Sequence, residues 1–350
     1  MPNYKDMLII DLDNTLTEED SEKDYSKKIV NKLVDISIKN AITLGYGAKI
    51  FSARNMRSLE GNLNKIESIT RPIAEDWLKK NKVIYDELIL GKPWCGYDGW
   101  YLDDKNILIE EFIFKFSGPY WNKTVSIVIP FFNEQNNILI NHVEQKKIER
   151  LLNITQYIYV DNGSSDNTFE NLKKIAKQDK KVKIVSVKNN LGYGYGIKKG
   201  LQEVKSDLVL LNHADMQFNP YTFFLSNMPT IINLNEPLNI LPKRVNRPLI
   251  DRMNSAFLRF LLSILYFCKI SDFNGQPKLF FKNSIKNIDL LPDNFCIDLA
   301  LYRSCKNQSI VLPIIQRERY SGKSNWNNVI FKRIKIFLQY LLYAVKKEKN

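Results

Sequence analysis

The sequence predicts an α/β protein built from two domains, and three observations point there. Apolar runs of strand length recur at residues 7–10, 125–129, 157–160 and 208–211, and each ends in polar residues able to hold a ligand. Helices are read at 25–44 and 197–204, between such runs, the alternation expected of parallel sheets covered by helices. The charge is also divided: residues 1–118 carry 17 Lys and Arg against 20 Asp and Glu, a net of −3, whereas the remainder carries 34 against 18, a net of +16. The break falls at Ser117, Gly118 and Pro119, a turn-forming run. The expected boundaries are 1–118, 119–324 and a C-terminal helix at 325–350. Cys95, Cys268, Cys296 and Cys305 show no metal-type spacing and read as reduced thiols of a cytoplasmic protein. No charged-then-apolar leader is seen, which argues against secretion. No apolar run reaches the ~18 residues of a membrane-spanning helix.

Taking the elements in order, residues 7–10 form a short buried strand that runs into DLDNTLT at 11–17. Asp11 and Asp13 lie two residues apart at its end, a costly pairing without a cation, unless Asp13 or Thr17 only caps a helix. Residues 25–44 read as one helix with Ile29, Leu33, Val34 and Ile36 on its apolar side. A second strand ends at Ser52 with Arg54 and Asn55 after it, Lys92 follows a third, and Asp103 and Asp104 end a fourth. These pieces, with RNMRSLEGN and GKPWCGYDGWYLDD, resemble the haloacid-dehalogenase (HAD) superfamily, in particular the phosphatases of capsule biosynthesis. The resemblance implies a Rossmann-like phosphatase fold and a set of roles. Asp11 attacks phosphorus, Asp13 acts as general acid and then base, and Ser52 and Lys92 hold the phosphoryl oxygens. It also implies Mg²⁺ at Asp11, Asp13 and Asp104, with Asp103 serving instead or through water. The interval between Asp13 and Ser52 is too short for a cap domain, so the site is read as uncapped.

The second part begins with the strand at 125–129, which leads into Pro130, Phe132, Asn133 and Glu134. The next strand ends at Asp161, followed by GSSD with Asp166. A glycine-rich run holds Gly192, Gly194 and Gly196; it is either a close-approach loop or a simple turn before a helix at 197–204. The strand at 208–211 leads into HADMQ, and extended geometry would put His213, Asp215 and Gln217 on one side. In this order the pieces resemble family 2 glycosyltransferases of the GT-A fold, most like the dolichol-phosphate mannosyltransferase branch. The resemblance implies a nucleotide-sugar site at Pro130, Phe132, Asn133, Glu134, Asp161, Asp166, Gly192 and Asp215. It implies Mg²⁺ or Mn²⁺ at Asp215 with Gln217 and His213, although that branch usually has Asp where this chain has His213. Inversion at the sugar C1 would follow.

On the acceptor side Asp298 is either the general base or an ordinary helix-surface acid. Lys278 and the basic stretch with Arg319, Ser321 and Lys323 form a diphosphate or phospholipid loop, or a solvated one. Residues 330–345 repeat apolar positions at helical spacing beside lysines, which reads as a membrane or partner helix or as packing on its own domain. Residues 256–267 read as a core helix. The functional expectation is a bifunctional enzyme of surface polysaccharide or glycolipid assembly. The alternatives are a transferase with a non-catalytic HAD module and a sugar-phosphate nucleotidyltransferase. Expected partners are a nucleotide sugar, a phosphorylated sugar or glycan, and an anionic membrane surface or lipid-linked acceptor. No nucleic-acid module is present. The expected location is cytoplasmic, including the inner face of the membrane.

Overall fold

The computed structural model describes residues 4, 6–18, 24–96, 101, 103, 105–317 and 330–347. The chain divides into two compact units, Met1–Trp121 and Asn122–Asn350. Residues 119–121 therefore cluster with the first unit, past the boundary read after Gly118.

The first unit holds β1 (Asp6–Asp11), α1 (Lys32–Thr43), β2 (Tyr46–Ser52), α2 (Leu63–Lys80), β3 (Glu87–Leu90) and α3 (Ile109–Ser117). Its three strands are parallel in the order β1-β2-β3, with Asp11 opposite Phe51 and Ser52 opposite Leu90. The carboxyl ends of all three strands thus lie at one edge, where ligands of such sheets bind. Beneath that edge Leu12, Leu16, Val34, Ile38, Ile50, Ile66 and Trp77 form a buried core. The helix read over 25–44 is shorter. Asn31 caps it by accepting from the Val34 amide, and Val34, Ile38 and Ala41 are its buried apolar residues, while Ile29, Leu33 and Ile36 face solvent.

The second unit holds β4 (Thr124–Phe131), α4 (Ile138–Lys146), β5 (Asn153–Asp161), α5 (Thr168–Gln178), β6 (Val182–Ser186), α6 (Tyr193–Gln202) and β7 (Leu208–Leu211). These are followed by α7 (Pro220–Ser226), α8 (Met228–Ile232), β8 (Asn239–Val245), α9 (Leu249–Leu265), β9 (Lys278–Phe281), α10 (Ile297–Cys305), β10 (Ser309–Ile315) and α11 (Ile330–Lys347). The seven-stranded sheet runs β10-β8-β9-β7-β4-β5-β6, and β9 alone is antiparallel to its neighbours. Strand order reverses at β4, which has β7 on one side and β5 on the other. That reversal opens a crevice at the carboxyl ends of β4, β5 and β7. Gly200 lets α6 lie against this part of the sheet: a Cβ there would fall 2.6 Å from Val128 Cγ1.

Two expectations change here. The glycine-rich run is not a turn before a later helix, because α6 already starts at Tyr193 and includes Gly194 and Gly196. Residues 256–267 do not form a core helix. They belong to α9, in which Leu262 alone is fully buried, because only a narrow stripe meets the rest of the unit. The C-terminal helix packs on α9, with the Phe257 and Phe337 rings stacked at 6.0 Å.

Candidate active sites

In the first unit β1 delivers Asp11 to the strand edge, and a tight turn with Asn14 at φ +58° carries Asp13 back beside it. Gly91, at φ +84°, turns the chain after β3 so that Lys92 Nζ lies 2.8 Å from Asp11 Oδ1. Ser52 is fully buried, and its Oγ accepts from the Arg54 amide at 3.1 Å. Four of the expected phosphatase residues are therefore brought together. Burial pushes the Asp11 carboxyl above the ordinary carboxylate value, against the pull of Lys92. Asp103 is exposed, with Oδ1 accepting from the Lys105 amide. Asp104 lies outside the described residues.

One group at this site went unassigned in the sequence. Arg54 Nε donates to both Asp13 oxygens, at 2.9 and 3.1 Å, from a side chain that is 0% exposed. Its guanidinium carbon sits 4.6 Å from the Tyr25 ring centroid and 5.8 Å from that of Trp77. Both terminal guanidinium nitrogens are buried without a hydrogen-bond partner among the described residues. Nothing in the local sequence marks this role, because its supports come from residues about thirty positions upstream and twenty-odd downstream.

In the second unit the turns after β4 and β5 are laced together. The Asn133 amide donates to Ser164 Oγ, the Glu134 amide to Thr168 Oγ1, and the Ser165 amide to Asn133 Oδ1. Asp161 is buried and accepts from the Ser164 amide, and Asp166 accepts from the Gln135 and Thr168 amides. Pro130 and Glu134 are half-buried in this turn, and Phe132 and Asn133 are exposed. Gly192, at φ +123°, packs against the Asp293 carbonyl, and its own carbonyl accepts from Asn162.

The segment after β7 is not extended. Met216 adopts φ +62°, so the extended geometry expected to align His213, Asp215 and Gln217 is absent. The His213 ring stacks on Tyr193 at 5.5 Å, and its Nε2 lies 3.1 Å from the Tyr193 hydroxyl. Asp215 is buried and accepts from the Gln217 amide, while the Gln217 side chain reaches the Arg317 carbonyl at 3.5 Å. Asn141 pins the turn by donating to the carbonyls of His213 and Ala214. Among the described residues no three or more His, Cys, Asp or Glu side chains gather as a metal cluster. The carboxylate of Asp215 and carboxamide of Gln217 are nonetheless the oxygen donors that Mg²⁺ and Mn²⁺ prefer, and diphosphate oxygens would complete such a set.

Asp298 is not a surface acid. It is 5% exposed at the start of α10, and its Oδ1 lies 2.6 Å from Lys278 Nζ and 3.1 Å from Gln276 Nε2. Lys278 is itself 1% exposed, so its charge is matched inside the protein rather than offered on a loop. Tyr193, stacked between His213 and Phe295, has its hydroxyl pushed well above its ordinary value, first by burial and then by Asp298, Tyr340 and Asp215. Tyr193, Gln276 and Tyr340 are residues the sequence did not single out. Arg319, Ser321 and Lys323 lie outside the described residues.

With this geometry in view, residues 126–285 match the family model for glycosyl transferase family 2. The matched segment lies wholly within the second unit, an α/β fold, which therefore resembles the glycosyltransferases of that family. The chain is 29% identical over 213 residues to a Bacillus subtilis protein named as the glycosyltransferase CsbB, covering 58% of this chain and 62% of that one. It is 34% identical over 117 residues to an undecaprenyl-phosphate 4-deoxy-4-formamido-L-arabinose transferase of Yersinia enterocolitica, covering 33% and 34%. It therefore spans less than two thirds of the length of either relative. A solved glucosyl-3-phosphoglycerate synthase of Mycobacterium tuberculosis, in complex with Mn²⁺ and UDP, is 16% identical, with 70% and 85% covered and a TM-score of 0.47.

Proposed function

We propose that the second unit transfers a sugar from a nucleotide-sugar donor to a lipid-linked acceptor, and that the first unit hydrolyses a phosphate monoester on the same class of glycan intermediate. The observation that carries the transferase reading is the reversal of strand order at β4, with Asp161, Asp166 and Asp215 gathered at the strand ends beside it. The name of the Yersinia enterocolitica relative, an undecaprenyl-phosphate sugar transferase, supports the lipid-linked acceptor.

In this reading Asp161 and Asp166, braced by backbone amides, hold the nucleoside. Asp215 with Gln217 would hold Mg²⁺ or Mn²⁺, which offsets the charge of the departing diphosphate. The acceptor oxygen bonds to the sugar C1 as the C1–diphosphate bond breaks, with inversion, and Asp298 takes the acceptor proton. Lys278 and Gln276 fix the Asp298 carboxylate for that task. His213, stacked and bonded to Tyr193, holds the wall of the site.

In the first unit Asp11 attacks phosphorus, the ester P–O bond breaks, and Asp13 gives its proton to the leaving oxygen. Asp13 then takes a proton from the water that cleaves the aspartyl-phosphate. Ser52 and Lys92 hold the phosphoryl oxygens, and Arg54 orients Asp13. The oxygens of Asp11 and the Asp13 carbonyl, with Asp104 or Asp103, suit Mg²⁺, which would neutralise the phosphoryl charge.

The test is calorimetric titration of nucleotide sugars with Mn²⁺ into the full chain and into Asp215→Ala. The variant is expected to bind the donor at least about tenfold more weakly, roughly 1.4 kcal/mol. Equal affinity would remove Asp215 from the donor site.

A further inference from the structure

The turn after β7 and the start of α10 are joined by two routes, which together close a ring. One route runs through the sheet. Lys278 begins β9 and stands opposite Leu211, the last residue of β7, in the antiparallel register. Its Nζ lies 2.6 Å from Asp298 Oδ1, and both residues are buried. The other route is aromatic. Tyr193 starts α6, and its ring is stacked between those of His213, at 5.5 Å and 7°, and Phe295, at 5.3 Å and 20°. Its hydroxyl lies 3.1 Å from His213 Nε2.

Each end of the aromatic route is anchored. On the β7 side, Asn141 holds the turn by donating to the carbonyls of His213 and Ala214. On the α10 side, the Tyr195 amide donates to the Asp293 carbonyl at 3.0 Å. Lys198 Nζ lies 2.7 Å from Asp293 Oδ1 and donates to the Leu291 carbonyl at 3.1 Å. The N-terminal half of α6 and residues 291–295 are therefore tied into one body, and Tyr193 reaches from that body to His213. With the sheet route alone, the start of α10 could pivot about the Lys278–Asp298 contact. A second attachment removes that freedom, and closely packed rings pass on a displacement rather than absorb it.

We infer that Tyr193 is a positioning residue, a spacer that holds the turn carrying Asp215 in fixed relation to Asp298, so that a ligand ordering the turn also orders the start of α10. For its purpose this rests on the proposed roles of Asp215 at the donor and Asp298 at the acceptor. The contacts that carry it do not depend on those roles. The ring does the spacing, because it is the ring that meets a neighbour on both sides. The metal side and the base of the reaction would then be set by one side chain that reacts with neither substrate.

The experiment is amide hydrogen exchange of the full chain, free and with UDP and Mn²⁺, read at residues 212–217 and 293–300. Exchange in β5 checks that the sheet is intact. In the free protein Tyr193→Leu is expected to speed exchange at least tenfold in both segments, and Tyr193→Phe, which keeps the ring, to stay within threefold of wild type. Unchanged exchange at 293–300 in Tyr193→Leu overturns the inference whatever UDP does. UDP with Mn²⁺ is expected to slow exchange in both segments of the wild type. Phe295→Leu breaks the route at its far end without touching the turn. It should bind UDP within threefold of wild type and keep the protection of 212–217, yet lose that of 293–300. A residue that only filled space would not separate the two segments in this way. Protection of 293–300 that persists in Phe295→Leu, or that is missing in a wild type that binds UDP, overturns the inference. A wild type that does not bind UDP removes the transferase reading instead, and exchange in the free protein then decides whether Tyr193 is the spacer.

Discussion

The Arg54–Asp13 pair predicts an asymmetry between its two partners. Arg54 is wholly buried, whereas the Asp13 side chain keeps 28% of its surface exposed. Replacing Asp13 by Asn leaves a buried guanidinium without its counter-charge, a situation that costs about 3–5 kcal/mol in proteins. The low end applies, about 3 kcal/mol, because the Asn oxygen can still accept from Arg54 Nε. Replacing Arg54 by Met removes the buried charge itself, keeps packing volume against Tyr25 and Trp77, and leaves Asp13 open to water. Its cost should stay within about 1 kcal/mol, since the lost charge-assisted bond is offset by the desolvation no longer required. Activity should not follow stability. Asp13→Asn should lower the rate of aryl phosphate hydrolysis at least about a hundredfold, as expected for loss of a general acid and base. Arg54→Met should lower kcat about tenfold or more with little change in KM, because it only frees the carboxylate to turn. Amide hydrogen exchange under increasing urea reads the stability of the first unit apart from the second. If Arg54→Met proves as destabilising as Asp13→Asn, or leaves kcat untouched, the pair does not work as argued.

Four further outcomes follow from the geometry of the two units. Asp11→Asn should abolish aryl phosphate hydrolysis, and activity within tenfold of wild type would remove Asp11 as the nucleophile. Because the folded Asp11 carboxyl is raised by burial, its contribution to stability is present below the unfolded carboxylate pKa and is lost as pH rises through the folded one; the Asn variant should therefore be at least as stable as wild type at neutral pH in the same exchange measurement. The acid limb of the phosphatase pH–rate profile should lie above that of an ordinary carboxylate, and Lys92→Met should move it higher still by removing the lowering charge; a limb that moves down contradicts the assignment. Gly192→Ala would force a side chain into φ +123° and put Cβ 2.4 Å from the Asp293 carbonyl oxygen, so it should lower the melting temperature of the second unit and weaken donor binding; an unchanged melting curve would mean the loop sits elsewhere.

Asp11, Ser52, Lys92, Asp161 and Asp215 could be picked out in the sequence because each stands at or just beyond a strand end. A buried apolar run followed by an acid is a local signal, and the parallel arrangement of β1 to β3 and of β4, β5 and β7 converts several such signals into one edge. What pairs with those acids is not local. Arg54 was visible as a residue after Ser52, but its task depends on Tyr25 and Trp77 closing over it. Tyr193 was hidden inside a run read for its glycines. Only the packing of α6 against the segment around Asp293 to Phe295 turns it into the ring between His213 and Phe295. Lys278 and Asp298 were read as separate groups, on a loop and on a helix surface, because neither position announces that β9 and α10 bury them together.

The α9 helix went wrong for a different reason. Apolar residues lie almost all round it, and such a helix is ordinarily buried in a core. Leu258, Leu262 and Leu265 do meet the core, but they form only one side of the helix. Phe257, Phe260 and Ile264 complete the apolar circumference and are each more than half exposed, with Phe257 stacking on Phe337 at the α11 seam. Composition measures how much apolar surface a helix offers, and it does not measure how much the rest of the unit covers. Arg259 was the informative residue: an arginine between two phenylalanine-bearing turns is expensive in a core, where its charge would need a buried partner. An arginine at that position marks a helix that keeps one side in water, as do the more than half-exposed Phe257, Phe260 and Ile264.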